Sequence, residues 1–289
     1  ALGLAGHRVT VLDRADRPGG TAGGAIPTFR LPDALLRQDL DRVFGAGVVL
    51  KTGFRLGRDF TLDDLVDDGF DAILLALGLE RPPPLHVNGD DLEGVIGGVD
   101  FLEQARSSSP PSLQGEFVSI GATGLAFDAA RTALRLGATH ATVVFPRTLA
   151  EMPLPDEDIR AAEHEGVRTV YLAEPIRLER RAHRVIAVVV RKVAPGTAAP
   201  GTGTIGVPGA RFEIPARLVC LAPTDRGQAP GRELAGLVVD DLGMPVLDPD
   251  TRMTSRPGVF VAGDLAGVPG RIADALADGR RAGLAIDAW

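Results

Sequence analysis

Gly258-Val259-Phe260-Val261-Ala262-Gly263-Asp264 is the stretch whose reading decides the fold of this 289-residue chain. Four apolar residues in a row, two of them β-branched, suit a short strand covered on both faces. They run straight into a glycine, which accepts the positive φ of a sharp turn, and then into an acid. A carboxylate is thereby delivered to the C-terminal end of a strand, the place where open α/β sheets bind ligands. An aspartate capping an ordinary turn is the competing explanation. Behind the turn, the spacing from about Arg271 to Ala288 predicts a closing helix.

Working outward, the same strand-and-helix alternation recurs. The continuous apolar run Ala72 to Leu77 reads as a parallel strand. Before it come a strand near Val48 to Leu50 and a helix from Asp33 to Phe44, with Leu36, Leu40, Val43 and Phe44 on one face. Earlier still lies the strand Val9 to Leu12, preceded by Ala1 to Arg8, which reads as the tail of a helix ending in a glycine turn. The chain thus opens in mid-motif and without methionine, so an upstream strand and glycine-rich turn are expected ahead of Ala1. Past Pro82-Pro83-Pro84 the pattern restarts with a strand at Phe117 to Ile120, a helix through Leu125 to Leu136, and a strand at Thr142 to Phe145. From Arg168 strands predominate, including Val185 to Val190 and Leu218 to Ala222. The Pro/Gly/Thr-rich stretch Ala194 to Gly209 between them is expected to be a mobile hairpin loop. The sum is an α/β protein with two strung α/β units.

Composition removes several functions. Hydrophobic residues make up 45% and charged residues 24%, within the globular range, and 289 residues suffice for two domains with their own cores. A formal net charge of −7 offers no broad basic field for a phosphate backbone or an anionic membrane, so nucleic acid and membrane partners are not expected. No apolar stretch reaches the roughly 20 residues of a membrane helix, and no signal peptide is recognisable, which gives a cytoplasmic expectation. The single cysteine, Cys220, rules out an internal disulfide and paired-thiol chemistry; its apolar surroundings suggest a buried thiol. The five histidines lie in polar or turn contexts, and the acidic pairs Asp63-Asp64, Asp67-Asp68 and Asp240-Asp241 read as solvated faces or turns rather than metal sites.

The candidate chemistry is nucleotide binding. In Ile120-Gly121-Ala122-Thr123-Gly124-Leu125-Ala126, a strand meets a helix through a turn, and free backbone N–H groups there suit a pyrophosphate. Gly121 and Ala126 occupy the first and third fingerprint positions, but Thr123 replaces the glycine that lets a phosphate approach, so an ordinary tight turn remains an equal reading. Arg147, after the next strand, favours the 2′-phosphate of NADP over the ribose hydroxyls of NAD, against the alternative of a solvated loop arginine. In the first unit, Asp13 ends its strand where a carboxylate accepts both hydroxyls of an adenosine ribose, and Pro18-Gly19-Gly20 follows. Asp264 is placed to accept from a ribityl hydroxyl, with the closing helix directing its N-terminus at a flavin pyrimidine.

Several stretches in order along nearly the whole chain carry a likeness: Pro18-Gly19-Gly20, Ile26-Pro27 with Phe29-Arg30-Leu31-Pro32, Asp128-Ala129-Ala130-Arg131, Glu151-Met152-Pro153, and Val259 to Asp264 followed by Ala277-Asp278-Gly279-Arg280. With these the chain resembles the glutamate synthase small-subunit family, which includes the FAD and NADPH domains of dihydropyrimidine dehydrogenase. The resemblance implies two Rossmann-like dinucleotide-binding domains, with the NAD(P)H domain (84–224) inserted into an FAD domain split into 1–83 and 225–289. It implies FAD contacts from Asp13, Arg14, Gly19, Gly20, Gly78, Gly263, Asp264 and Ile272, and NADPH contacts from Gly121, Thr123, Gly124, Ala126 and Arg147. The opening and closing segments are then expected side by side in one sheet.

The family's Gly-Gly-Gly-Asn-Thr-Ala turn is altered here to Gly121 through Ala126, its paired arginine to Pro146-Arg147, its Ala-Thr-Gly to Ala76-Leu77-Gly78, and its Ala-Ile-Gly to Ala222-Pro223-Thr224. The implied function is an FAD-dependent NAD(P)H oxidoreductase that hands electrons to an iron–sulfur centre or a larger partner subunit, with no side-chain acid or nucleophile required. Two rivals stand beside it: a flavoprotein that has lost nicotinamide binding, and a cofactor-free structural module.

Overall fold

The computed structural model describes residues 1–79, 87–121, 123–195, 204–222, 227–268 and 270–289. The expected crossovers at 83/84 and 224/225, and the centre of the expected 194–209 loop, lie outside them. In chain order the elements are β1 (Thr10–Asp13), α1 (Gly20–Gly24), α2 (Asp33–Phe44), β2 (Val49–Thr52), α3 (Leu62–Asp67) and β3 (Ile73–Leu75). Next come β4 (Val95–Gly97), α4 (Gly98–Ala105), β5 (Glu116–Ile120), α5 (Gly124–Arg135), β6 (His140–Val144), α6 (Asp156–His164) and β7 (Val167–Val170). The last are β8 (Ala173–Arg181), β9 (Arg184–Pro195), β10 (Thr204–Pro215), β11 (Leu218–Leu221), β12 (Val259–Val261) and α7 (Ile272–Ala288). Contacts divide the chain into two units, the first formed by Ala1–Gly23, Leu31–Pro82 and Arg226–Trp289, the second by Gly24–Arg30 and Pro83–Asp225. Among the described residues, no helix is long and apolar enough to cross a membrane.

The second unit is built on a five-stranded parallel sheet in the order β4-β11-β5-β6-β7. Side chains alternate across a strand, so each strand serves two cores. Phe117, Ala141, Val143 and Cys220 pack with helical residues such as Leu102, Ala126, Ala130, Ile159 and Ala162. Val118, Ile120, Val144, Val219 and Leu221 pack instead with Leu178, Val185, Val188 and Val190 of the antiparallel sheet β10-β9-β8. Covered on both faces, β5, β6 and β11 are mostly apolar, with Ser119 and Thr142 the buried polar exceptions. The Pro/Gly/Thr-rich stretch corrects its expectation at both ends, because β9 runs on to Pro195 and β10 starts at Thr204. Thr204 pairs with Pro195 and Gly206 with Val193, and a register shift before Arg211, with Gly209 at φ 75, absorbs the irregular residues.

Residues 24–30, expected in the first domain, belong with the second unit. Ala25 joins its helical core. The Phe29 ring lies beneath the guanidinium groups of Arg131 and Arg135, at 4.2 and 4.1 Å. Arg30 pairs with Asp128 and, at 3.0 Å, with Asp158. Asp128, Arg131 and Arg135 stand at i, i+3 and i+7 of α5 and therefore share one face. Both arginines grip Glu165 with two hydrogen bonds each, at 2.6–3.0 Å.

The first unit holds two separate parallel ladders, β1-β2 and β12-β3. Leu12 and Ala262 thus belong to different ladders, which departs from the expected single sheet. The free edges are specific. β12 has β3 on one side and, on the other, Met253 in an antiparallel bridge to Phe260. Among the described residues, the far edge of β3 and the far edge of β1 have no strand partner. The buried core of this unit comes from β3, β12 and the segments around Leu56, Leu62, Leu234 and Leu265. β1 is only half-buried throughout, and α2 has no buried residue: Val43, expected on its apolar face, is exposed.

The hydrogen bonds from Arg131 and then Arg135 hold the Glu165 carboxyl down at about 2, against 4.5 for an ordinary glutamate. A depressed acid contributes stability that is complete above its unfolded value and lost as pH falls through its folded one. Glu165→Gln is therefore expected to flatten the pH dependence of thermal unfolding between about 4.5 and about 2, modestly because solvent reaches the cluster. An unchanged slope in that window would contradict the assignment.

Candidate functional site

In the second unit β5 delivers the chain to Gly121 and α5 begins at Gly124. A Cβ on Gly121 would lie 2.0 Å from the Ala222 carbonyl oxygen and 3.0 Å from the Ala222 Cβ. Glycine is required there by the end of neighbouring β11, whatever binds outside. Thr123 is the N-cap in extended conformation, yet its side chain makes no capping bond, and its buried Oγ1 has no hydrogen-bond partner among the described residues. The first N–H groups of α5 are left without a side-chain cap, as an anion at a helix N-terminus needs. Ala126 is fully buried, so a larger residue would push α5 off the sheet. Arg147 is exposed beyond the end of β6, which pairs with β5. Next to it Thr148 and Glu151 form a reciprocal cap; the Thr148 hydrogen bonds hold the Glu151 carboxyl below its usual range, and the Arg147 charge adds to this.

In the first unit β12 is buried and leads into Gly263, itself buried at φ 77, with Asp264 next in a 3-10 turn that ends at Gly267. A Cβ on Gly270 would lie 3.9 Å from both Asp264 carboxylate oxygens, so the approach to α7 passes the carboxylate. α7 starts at Ile272, which is nearly half exposed, and Arg271 gives it no side-chain cap. Gly78, at φ 69, lies three residues past Leu75, the partner of Val261. Gly78 and the Gly263-Asp264 turn therefore leave the same end of one ladder. Asp13 closes β1 in the other ladder, and its Oδ1 accepts the Ala15 N–H at 2.9 Å. Arg14 is exposed, while Gly19 and Gly20 take left-handed φ of 116 and 52. The structure thus groups Gly121, Thr123, Gly124 and Ala126 on one turn with Arg147 one strand away, and groups Gly78, Gly263, Asp264 and Ile272; Asp13, Arg14, Gly19 and Gly20 stand with β1.

A family model described as pyridine nucleotide-disulphide oxidoreductase matches residues 45–279. The chain belongs to that family. Among its relatives is the NADP(+)-dependent formate dehydrogenase subunit beta of Moorella thermoacetica, 33% identical over 98% of this chain and 41% of that one. The NADPH-Fe(3+) oxidoreductase subunit beta of Geobacter sulfurreducens is 30% identical, over 100% and 47%. A putative glutamate synthase [NADPH] small chain of Cereibacter sphaeroides is 31% identical over 99% of this chain and 72% of that one, which bears out the resemblance to glutamate synthase small subunits. The chain spans less than half the length of the first two. In fold it is similar to FprA of Mycobacterium tuberculosis in complex with NADPH, with a TM-score of 0.72, 18% identity and coverage of 96% and 77%. A likeness to Lactococcus lactis thioredoxin reductase has a TM-score of 0.70, 17% identity and coverage of 98% and 91%.

Despite the family's name, this chain has one cysteine, fully buried, whose thiol is pushed up to about 12 chiefly by burial. It supplies no thiolate for exchange. Sequence reasoning missed two residues behind the Asp264 turn, Asp278 and Arg252, because their pairing spans 26 positions. Nothing local marks the pairing, although Asp278 itself lies in the Ala277-Asp278-Gly279-Arg280 stretch.

Gly121→Ala is expected to destabilise the second unit by about 1–3 kcal/mol or more, the range for forced overpacking, with no ligand present. Thermal unfolding checks this; wild-type stability would mean that the Ala222 carbonyl is not in van der Waals contact.

Proposed function

We propose that this chain is the dinucleotide-binding part of an oxidoreductase that takes electrons from NADPH through FAD to an iron–sulfur centre or partner protein. The observation that carries it is the convergence of Asp264, Gly270 and the uncapped start of α7 at one end of the β12-β3 ladder. The residues fit a flavin nucleotide: a carboxylate to accept hydroxyl hydrogens, glycine where bulk would intrude, and helix N–H groups where negative charge develops. A bound FAD would supply hydride acceptance and one-electron release. This chain's residues bind, orient and exclude water; no side chain is asked to move a proton.

The free edges of β1 and β3 support the expectation of a further strand from polypeptide outside these residues. Seated between them it gives the order β2-β1-strand-β3-β12, and Asp13, Gly78 and Asp264 then share one sheet end. In the second unit, Arg147 and the uncapped start of α5 suit a phosphorylated dinucleotide. A second reading, in which nicotinamide binding is lost, is favoured by Thr123 in place of glycine and by Pro146 in the position of the family's paired arginine.

The longest polypeptide that contains this chain, loaded with FAD and titrated anaerobically with NADPH, decides between them. Bleaching of the visible flavin band is expected; a band unchanged at millimolar NADPH leaves the second reading, and a protein that takes up no flavin removes both. Arg147→Ala is expected to weaken NADPH about tenfold or more, a charge-assisted bond's worth, with little change for NADH. Equal effects on the two nucleotides would remove Arg147 from the 2′-phosphate site.

A further inference from the structure

A second carboxylate lies behind the Asp264 turn. Asp278 of α7 is 6% exposed; its Oδ2 accepts the Gly263 N–H at 2.9 Å, and its Oδ1 accepts from Arg252 Nε at 3.0 Å and Nη2 at 2.8 Å. Arg252 holds a left-handed φ of 65, which residues with a Cβ rarely adopt. It is kept there by its own N–H to the Asp248 carbonyl, at 2.9 Å, and by the Val261 N–H to its carbonyl, at 3.0 Å. The Asp248 carboxylate fixes that turn in its own right, accepting the backbone N–H groups of Asp250 and Thr251 and the Thr251 hydroxyl.

A buried ion pair is a poor way to gain stability, since apolar residues of similar volume do as well or better. What this pair holds is specific. Gly263 opens the turn that carries Asp264, and Asp278 stands six positions after Ile272, the start of α7. One carboxylate therefore ties the strand end, the acidic turn and the helix together, while Arg252 neutralises it from the segment bridged to β12.

We propose that Asp278 and Arg252 are a positioning pair for the flavin end of the site. They set the Gly263-Asp264 turn and the α7 N-terminus at the separation that lets both act on one flavin nucleotide, and they add no net charge behind it. The inference rests on the flavin reading above. Its electrostatic half gives a signed consequence. Breaking the pair from either side leaves an unbalanced buried charge, and the two charges are of opposite sign. Negative charge disfavours the reduced, more anionic flavin and lowers its midpoint potential; positive charge raises it.

The test uses two variants in the longest polypeptide that contains this chain. Asp278→Asn keeps the shape of the side chain and leaves Arg252 unbalanced. Arg252→Gly accepts φ 65 without strain and leaves Asp278 unbalanced. Both are expected to bind FAD about 10- to 100-fold more weakly, as loss of a charge-assisted hydrogen bond implies. The midpoint potential of the bound flavin is expected to rise in Asp278→Asn and fall in Arg252→Gly. Potentials that move together, or wild-type affinity and potential in both, overturn the proposal. If the unaltered polypeptide takes up no FAD, the flavin reading fails instead, and hydrogen exchange of the Gly263 amide then tests the clamp alone. Faster exchange in Asp278→Asn supports it, and unchanged exchange overturns it.

Discussion

A β-strand has two edges of peptide groups, and the organisation of the first unit follows from which of them are satisfied. Among the described residues, β1 has a strand partner only in β2, and β3 only in β12, whose other edge meets Met253. One row of N–H and C=O groups on β1 and one on β3 are therefore free among the described residues, and a protein interior does not leave such groups unpaired at no cost. In the arrangement proposed above, one further parallel strand pairs with both rows at once. Ile73, Leu75, Val259 and Val261 are packed in a core, while β1 and α2 bury nothing completely. The proposed site depends on the same element, since only in a continuous sheet do Asp13, Gly78 and Asp264 leave one end together.

The second unit shows the opposite condition. Its parallel sheet is covered on one face by helices and on the other by β8, β9 and β10. The tightest point of its nucleotide-like turn is set by packing: Gly121 is demanded by the Ala222 carbonyl, and Ala126 by the contact of α5 with the sheet. Thr123 breaks the glycine pattern with a buried Oγ1 that has no hydrogen-bond partner among the described residues, so the departure bears on what the turn can hold. The cluster of Phe29 and Arg30 with Asp128, Arg131, Arg135 and Glu165 fastens residues 24–30 to α5 by charge and ring contacts.

Much of this was legible in the residues because burial on two faces writes itself as apolar runs. Phe117 to Ile120, Thr142 to Phe145, Ala72 to Leu77 and Val259 to Ala262 each mark a strand, and Arg271 to Ala288 marks the closing helix almost to the residue. Local rules failed where distant partners decide. Phe29-Arg30 and Asp128 to Arg131 were visible as two motifs, but nothing local says that they meet. Thr204 to Gly209 carries turn residues, yet its ladder to β9 overrides them through a register shift. At the site, the glycines and Asp264 announce a strand-to-turn delivery of ligand-facing groups. The Asp278–Arg252 pair is silent in sequence because a buried acid on a helix looks like a solvated one until its partners are placed.

Amide hydrogen exchange along β1 and β3 tests the central claim most directly, comparing residues 1–289 alone with the longest polypeptide that contains them. Val9 and Asp13 bond on the β2 side and Ile73 and Leu75 on the β12 side, so the account predicts that the Thr10, Leu12 and Leu74 amides, which face the free edges, become strongly protected in the long form. Equal exchange in the two forms would contradict it, because no strand would then join the two ladders into one sheet.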